Sequence, residues 1–262
     1  MSSTAPAPAR GRIIAEVVIV LGLSLGMSAL YSIVTLINRA TLETPIAQQT
    51  ATMVPSRDSR AIFDLIYQLL GIASDLFPVA LVCFLLWSTA KPHLGRVGID
   101  AKHPVRDGLL GLGLALPIGV AGLGIFLAGR ALGIGVGISA SNLTDQWWTI
   151  PVLLLTAARA AIQEEVIMLG YLFARLGDLR LNRWTIILIS ATIRGTYHLY
   201  QGYGAFFANF AMGVVFGWLY TRTPERRVIP FVVTHFAIDA VVFVGAPAAA
   251  ATWPDLFGTS AG

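Results

Sequence analysis

The sequence contains one cysteine and few charged residues. Cys83 lies inside an apolar run, so an intramolecular disulfide and a cysteine-based metal cluster are both excluded. Only 12% of the 262 residues are charged and 56% are hydrophobic, whereas about 25% of a soluble domain is charged. This composition excludes an ordinary soluble enzyme and indicates that most of the chain is surrounded by lipid.

Several signatures of hydrolases and of binding proteins are also missing. No histidine is followed by glutamate, which excludes the HExxH zinc motif, and neither Gly-x-Ser-Gly nor Gly-x-Gly-Asp occurs. No glycine loop for a nucleotide cofactor is present, so no organic cofactor is expected. The net charge is +4, but the basic residues form short clusters between apolar runs. This distribution argues against a nucleic-acid partner.

Apolar runs of membrane-spanning length recur along the chain and predict an all-α fold, a multi-pass transmembrane helical bundle. About seven spans are expected, or eight if a weak helix follows Ala246. The predicted spans are Ile13–Leu36, Ile62–Trp87, Gly108–Leu127, Thr149–Leu176, Trp184–His198, Ala205–Tyr220 and Val228–Val244. Residues 1–12 are rich in Ala and Pro and are expected to form a disordered cytoplasmic tail, and 13–262 a single membrane domain.

The distribution of Lys and Arg predicts the orientation of the bundle. Most of the 18 basic residues fall on one side of the predicted spans, and that side is cytoplasmic if the N-terminus is cytoplasmic. We therefore expect an integral, multi-pass protein of the plasma membrane with its N-terminus inside the cell.

Ionisable side chains at membrane depth are functional candidates because burying them in lipid costs several kcal/mol. In the second half of the chain they concentrate on three spans. They are Arg159, Glu164, Glu165, Arg194, His198, His235 and Asp239. Arg194 and His198 are four residues apart, as are His235 and Asp239, so each pair lies on one helical face. The polar groups of the three spans lie at depths of roughly 10 to 21 Å, which places them near the middle of the bilayer.

One carboxylate beside two imidazoles is suited to activating water. Burial favours the neutral acid, and an imidazole can relay a proton or stabilise an oxyanion. The same groups, Glu164, His198 and His235, match a His2Glu zinc set with an open position for water. Zinc-dependent and metal-free hydrolysis both remain open on residue types alone.

Three short motifs, in order and on three separate apolar segments, resemble those of the CPBP family. These membrane-embedded proteases, also called the Abi family, are related to the type II CAAX prenyl endopeptidases. The motifs are Glu164-Glu165 followed after three residues by Leu169-Gly170, then Arg194-Gly-Thr-Tyr-His198, then His235-Phe-Ala-Ile-Asp239. The resemblance places the catalytic core at about 150–244.

The resemblance also implies roles for these residues. Glu164 would be the general base, and His198 would help it to activate water. His235 and Asp239 would hold the oxyanion or complete a metal site, and Glu165 would orient the site.

The sequence departs from the family pattern at two positions. Leu169 stands where the family has Arg, and Arg194 stands where the second motif has Phe. We interpret the two departures as one exchange, in which the cation that neutralises Glu165 comes from the facing helix. Some compensation is expected because an unpaired Glu165 would be strongly disfavoured in lipid.

The function implied is an intramembrane endopeptidase acting on a lipidated, CAAX-like substrate or on a membrane-inserted protein, within the lipid bilayer. Two alternatives stay open. In the first, the chain is a catalytically inactive membrane scaffold that binds a partner. In the second, it is an ion or proton carrier that uses the same groups as a relay. The absence of inverted repeats of broken helices counts against the carrier. For Arg159 a structural role is favoured over contact with a substrate.

Overall fold

Helices form most of the chain in the computed structural model, which describes residues 9–143, 145–223 and 225–253. The helices are α1 (Arg10–Gly22), α2 (Leu25–Ala40), α3 (Ala61–Leu85), α4 (Pro104–Ala131), α5 (Thr149–Glu165), α6 (Leu172–Asp178), α7 (Arg183–Tyr197), α8 (Tyr203–Arg222) and α9 (Ile229–Thr252). Shorter segments are a π-helical stretch at Val166–Tyr171 and two 3-10 turns at Ile46–Gln48 and Leu199–Gln201. Every predicted apolar run is therefore mainly helical.

The number of helices able to cross a membrane is smaller than the seven expected. Among the described residues, α3, α4 and α8 are long and apolar enough, and α1 with α2 would form a fourth span if this bent pair is counted as one. At 15 residues, α7 is shorter than the 20 or so residues that about 30 Å of hydrocarbon requires, whereas α5, the π-helical stretch and α6 follow one another without a break. The architecture fits an all-α membrane protein, but seven full spans are not confirmed.

The predicted span Ile13–Leu36 is wrong as a continuous helix, because it breaks at residues 23–24 and bends by 56°. Ser24 donates its hydroxyl to the Val20 carbonyl at 2.6 Å, and such a side-chain bond competes with the helical ladder. The helix also begins earlier than expected, at Arg10. Residues 10–12 are thus helical, and the earlier part of the predicted tail, up to residue 8, lies outside the described residues.

A small parallel sheet departs from the all-α expectation. Strand β1 (Thr50–Val54) pairs with β2 (Gly137–Ser141), with Thr50 opposite Gly137. Both segments are short and lie between helices, where β-branched and small residues replace the long apolar runs. A separate bridge joins Gly135 to Gly202. Since Gly202 follows the turn at the end of α7, this bridge fixes the chain just beyond His198.

The π-helical segment forms the centre of the apolar core. Each of its residues is buried, and a loop presses against it from one side. A Cβ at Gly170 would lie 2.6 Å from Val97 Cγ1 and 2.8 Å from the Val97 carbonyl oxygen. The loop turns at Gly98, where φ is +81° and a Cβ would collide with the Arg226 carbonyl oxygen.

An ion-pair cluster fastens the same loop to the start of α9. The Arg227 guanidinium donates to both carboxylate oxygens of Asp107 and to Asp100. Burial alone would raise the pKa of Asp100, but the hydrogen bonds from Arg227 and from the Lys102 backbone outweigh it and hold that pKa below its ordinary value. The carboxylate is therefore ionised at neutral pH and holds the loop in place.

The close approach at position 170 predicts that Gly170→Ala destabilises the protein by about 1–3 kcal/mol, because the added methyl group must displace backbone. The measurement is the midpoint of thermal unfolding in detergent. Gly177→Ala is the matched control, since a Cβ there meets nothing within 4 Å. Equal midpoints for the two variants would contradict the packing argument.

Candidate active site

The adjacent carboxylates at the end of α5 point into different surroundings. Glu165 is 0% exposed and Glu164 is 8% exposed, because consecutive helical residues project about 100° apart. The π-helical segment begins immediately after Glu165. Such segments occur mostly as local insertions and often at functional sites.

Glu165 lies at the centre of a buried chain of charged groups. Its Oε1 accepts a hydrogen bond from Arg194 Nη2 at 2.6 Å and lies 2.7 Å from His235 Nδ1. The other ring nitrogen of His235, Nε2, lies 3.4 Å from Asp239 Oδ2. Three helices, α5, α7 and α9, therefore meet at one carboxylate, and His235 is held between two carboxylates.

Glu164 is held by α7. Its Oε2 accepts a hydrogen bond from the Tyr197 hydroxyl at 2.6 Å and lies 3.7 Å from Arg194 Nη1. None of the hydrogen bonds within the described residues uses its Oε1. Glu164 also lines a cavity of about 270 Å³.

His198 lines the same cavity as Glu164. Its Nδ1 lies 3.0 Å from the Arg194 carbonyl oxygen, which can only accept a hydrogen bond. Nδ1 must therefore carry a proton, and in the neutral ring Nε2 keeps its lone pair. The ring is thus oriented as a proton acceptor or a metal ligand at Nε2.

Several residues that line the cavity were not predicted from the sequence. Besides Glu164 and His198, it is lined by Leu23, Ser24, Leu25, Ser28, Asp75, Arg159, Gln163, Tyr197 and Tyr200. The break between α1 and α2 contributes two of these, which accords with the rule that irregular backbone at membrane depth lines a cavity, and the start of α2 contributes two more. No signal in the sequence singles out Tyr197, which precedes His198 at the end of an apolar run. His235 does not line this cavity.

The six predicted site residues thus fall into two groups. Glu164 and His198 face the cavity, whereas Glu165, Arg194, His235 and Asp239 form the chain behind it. Arg194 on α7 contacts Glu165 on α5. The cation beside Glu165 therefore comes from the facing helix, as the exchange hypothesis expects.

The buried cluster contains donor atoms that are suited to binding a metal ion. Ligand atoms of Glu164, Glu165 and His235 lie within 4.8 Å of one another, and two carboxylates with an imidazole are ligands that zinc takes. Glu165 Oε2 is buried without a hydrogen-bond partner among the described residues, as a vacant ligand atom would be. The set differs from the expected one, because His198 is not part of it.

The segment of the chain that carries these contacts matches a known family model. Residues 146–241 match the family model described as type II CAAX prenyl endopeptidase Rce1-like. The match confirms the resemblance, although it covers less than half of the chain. The Rce1-like segment begins just before α5 and ends within α9, so it contains every predicted site residue, and the family it matches is a protease family. Neither the curated proteins nor the solved structures gave a match.

The contact between Arg194 and Glu165 predicts how stability changes when the residues at the two positions that depart from the family pattern, 169 and 194, are exchanged. Arg194→Phe leaves a fully buried carboxylate without its cation, so we expect a loss of about 3–5 kcal/mol. Adding Leu169→Arg supplies a guanidinium from within the same helix and should recover part of the loss. The measurement is the yield and thermal midpoint of folded protein in detergent.

Leu169→Arg alone is the control for this pair. Leu169 is 2% exposed in the apolar core, and Glu165 already has a cation, so the single change should destabilise the protein. A double variant no more stable than Arg194→Phe would overturn the exchange.

Proposed function

We propose that this protein is a membrane-embedded endopeptidase in which Glu164 activates water for attack on a peptide bond. The observation that supports it most strongly is the pairing of Glu164 with His198 on one cavity, each held by a separate hydrogen bond. Polar glue between helices would bury both groups against protein, whereas these two face open space.

The proposed reaction uses three groups of the cavity wall. Glu164 Oε1 takes a proton from water as the water oxygen bonds to the scissile carbonyl carbon. His198 Nε2 accepts a hydrogen bond from the O–H that the water keeps and fixes the direction of attack. The proton taken by Glu164 then passes to the departing amine nitrogen as the carbon–nitrogen bond breaks.

The developing oxyanion needs a donor that faces the cavity. Tyr200 fits this requirement, because its hydroxyl accepts a hydrogen bond from Gln201 Nε2 at 2.6 Å and keeps its own proton to donate. His235 and Asp239, for which the family resemblance implies oxyanion or metal binding, act here through Glu165. They are positioning residues that keep the end of α5 in place.

Zinc is compatible with the same site. Glu164, Glu165 and His235 would hold the ion, which when bound would lower the pKa of a coordinated water and polarise the scissile carbonyl. Arg194 competes with it, since the guanidinium already lies 2.6 Å from Glu165. Metal-free hydrolysis therefore remains part of the proposal.

We further propose the plasma membrane as the location, with the N-terminus cytoplasmic and seven segments in the bilayer. Within this bundle α5 packs against α3 and α9, and α7 packs against α2 and α8. The substrate is a lipidated peptide or a membrane-inserted protein, because its lipid anchor brings the scissile bond to the depth of Glu164.

Removing the proposed base gives the decisive test. Glu164→Gln should lower kcat by about 10²–10⁴-fold, with the thermal midpoint nearly unchanged because the amide still accepts from Tyr197. The substrate is a farnesylated peptide ending three residues after the modified cysteine, and mass spectrometry identifies the product. Zinc content is measured on the same samples with and without a chelator.

Glu225→Gln is the control, since its side chain is 49% exposed near Arg106 and far in sequence from α5; it should keep full activity. If wild type and Glu164→Gln both fail to cleave but bind a membrane partner equally, the scaffold replaces the protease. Proton or ion flux into vesicles that Glu164→Gln abolishes, without cleavage, would indicate the carrier.

A further inference from the structure

A second, smaller cavity lies beside the one that holds Glu164. Its volume is about 60 Å³, which is room for several water molecules, since one needs roughly 10–15 Å³. Arg57 belongs to its wall and lies in the exposed loop before α3, so this cavity reaches the surface there. Asp75 and Arg159 line both cavities. The two spaces therefore meet at this pair.

Two buried side chains present unpaired polar atoms to the second cavity. Thr156 is 7% exposed and Gln68 is 6% exposed, and both line this cavity. The Thr156 hydroxyl has no hydrogen-bond partner among the described residues. The Gln68 amide donates to the Pro55 carbonyl and to Asp64 Oδ1, but in the same part of the chain nothing donates to its Oε1. A hydroxyl and a free acceptor around one small space are the partners that a buried water molecule requires.

Polar residues connect the second cavity to the proposed base along two helices. On α5, Thr156, Arg159 and Gln163 follow at intervals of three and four residues, so they share one helical face. Thr156 lines the second cavity, Gln163 lines the first, and Arg159 lines both. On α3, which packs against α5, Gln68 and Asp75 have the same seven-residue separation. The two faces form a polar path about 10 Å long, which ends one residue before the proposed base.

The ion pair at the junction of the two cavities is loose. Arg159 Nη1 lies 3.5 Å from Asp75 Oδ2 and 3.3 Å from Gln163 Oε1, whereas a strong charge-assisted hydrogen bond measures about 2.7–2.9 Å. Arg159 Nε is buried without a hydrogen-bond partner among the described residues. Water that bridges such groups satisfies them without closing the path.

Peptide hydrolysis consumes one water molecule in each cycle. A peptide bound in the first cavity covers Glu164 and His198 from the side on which it enters, so the next water needs a route that the substrate does not fill. We propose that the second cavity stores water and passes it along the polar face of α5 to Glu164. This inference rests on the proposed peptidase function. It makes Thr156 and Gln68 positioning residues for the nucleophile.

Gly71 allows the second cavity to be filled without changing the first. Of the two cavities it lines only the second, and a Cβ there meets nothing closer than Arg57 Nη2 at 3.8 Å. Gly71→Leu should lower kcat for the farnesylated peptide at least about ten-fold and leave KM nearly unchanged, because the first cavity is intact. Gly71→Ala leaves most of the space open, and Gly124→Leu adds the same side chain where nothing lies within 4 Å. Both controls should keep the wild-type kcat, and a wild-type kcat in folded Gly71→Leu would overturn the proposal.

The hydroxyl of Thr156 is tested by two conservative changes. Thr156→Val keeps the shape and removes the hydroxyl, so kcat should fall by about two- to ten-fold, the contribution of one hydrogen bond. Thr156→Ser keeps the hydroxyl and should retain the wild-type kcat. A merely structural role would lower the thermal midpoint and leave kcat of the folded Thr156→Val protein unaltered.

Water in the path can also be detected without turnover. X-ray radiolysis turns bound water into hydroxyl radicals that oxidise adjacent side chains, and mass spectrometry identifies the oxidised residues. Met53 lines the second cavity and Tyr200 the first. Both should be oxidised in wild type and in Gly124→Leu, and both should be protected in Gly71→Leu.

The labelling result separates this inference from the peptidase proposal. If wild type cleaves nothing, the peptidase proposal fails, yet the labelling still decides whether the path carries water. An unoxidised Met53 in wild type indicates a dry second cavity and overturns the inference. Oxidation of Tyr200 that is unchanged in Gly71→Leu also overturns it, because the first cavity then receives its water from elsewhere.

Discussion

The arrangement of the site depends on one buried carboxylate. Glu165 is 0% exposed, and an ionised carboxylate in such a place is tolerated only with opposite charge and hydrogen bonds around it. Arg194 supplies the first at 2.6 Å, and His235 lies at 2.7 Å. Because the two partners come from α7 and α9, satisfying Glu165 requires these helices to meet α5 at a fixed depth.

The neighbouring carboxylate has a different environment for a geometric reason. Glu164 is rotated by about 100° from Glu165, which turns it away from the three-helix junction and towards the cavity. Two adjacent residues of one type thereby acquire different surroundings, one beside a buried guanidinium and an imidazole and one facing open space. A pair of carboxylates separated in this way is a common means of dividing structural and chemical roles.

The sequence predicts the helices and the three elements that carry the site, because long apolar runs and four-residue spacings depend only on local chemistry. It does not predict the break at Ser24, the π-helical turn after Glu165 or the strand pair near Gly137. Each of these arises from contacts between distant segments or from a single competing side-chain bond. The bond from Tyr197 to Glu164 was missed for the same reason, since tyrosine in an apolar run is equally typical of plain packing.

Arg194 couples the two groups of the site through different atoms. Its side chain contacts Glu165 and approaches Glu164, while its carbonyl oxygen accepts a hydrogen bond from His198 Nδ1–H. A cation at position 169 would neutralise Glu165 from the π-helical segment that follows α5, and not from α7. Supplying the cation from α7 instead makes the imidazole's orientation depend on the same residue that compensates the buried charge. The backbone of α7 cannot move relative to Glu165 without changing the direction in which His198 Nε2 points, so compensation and orientation form one constraint.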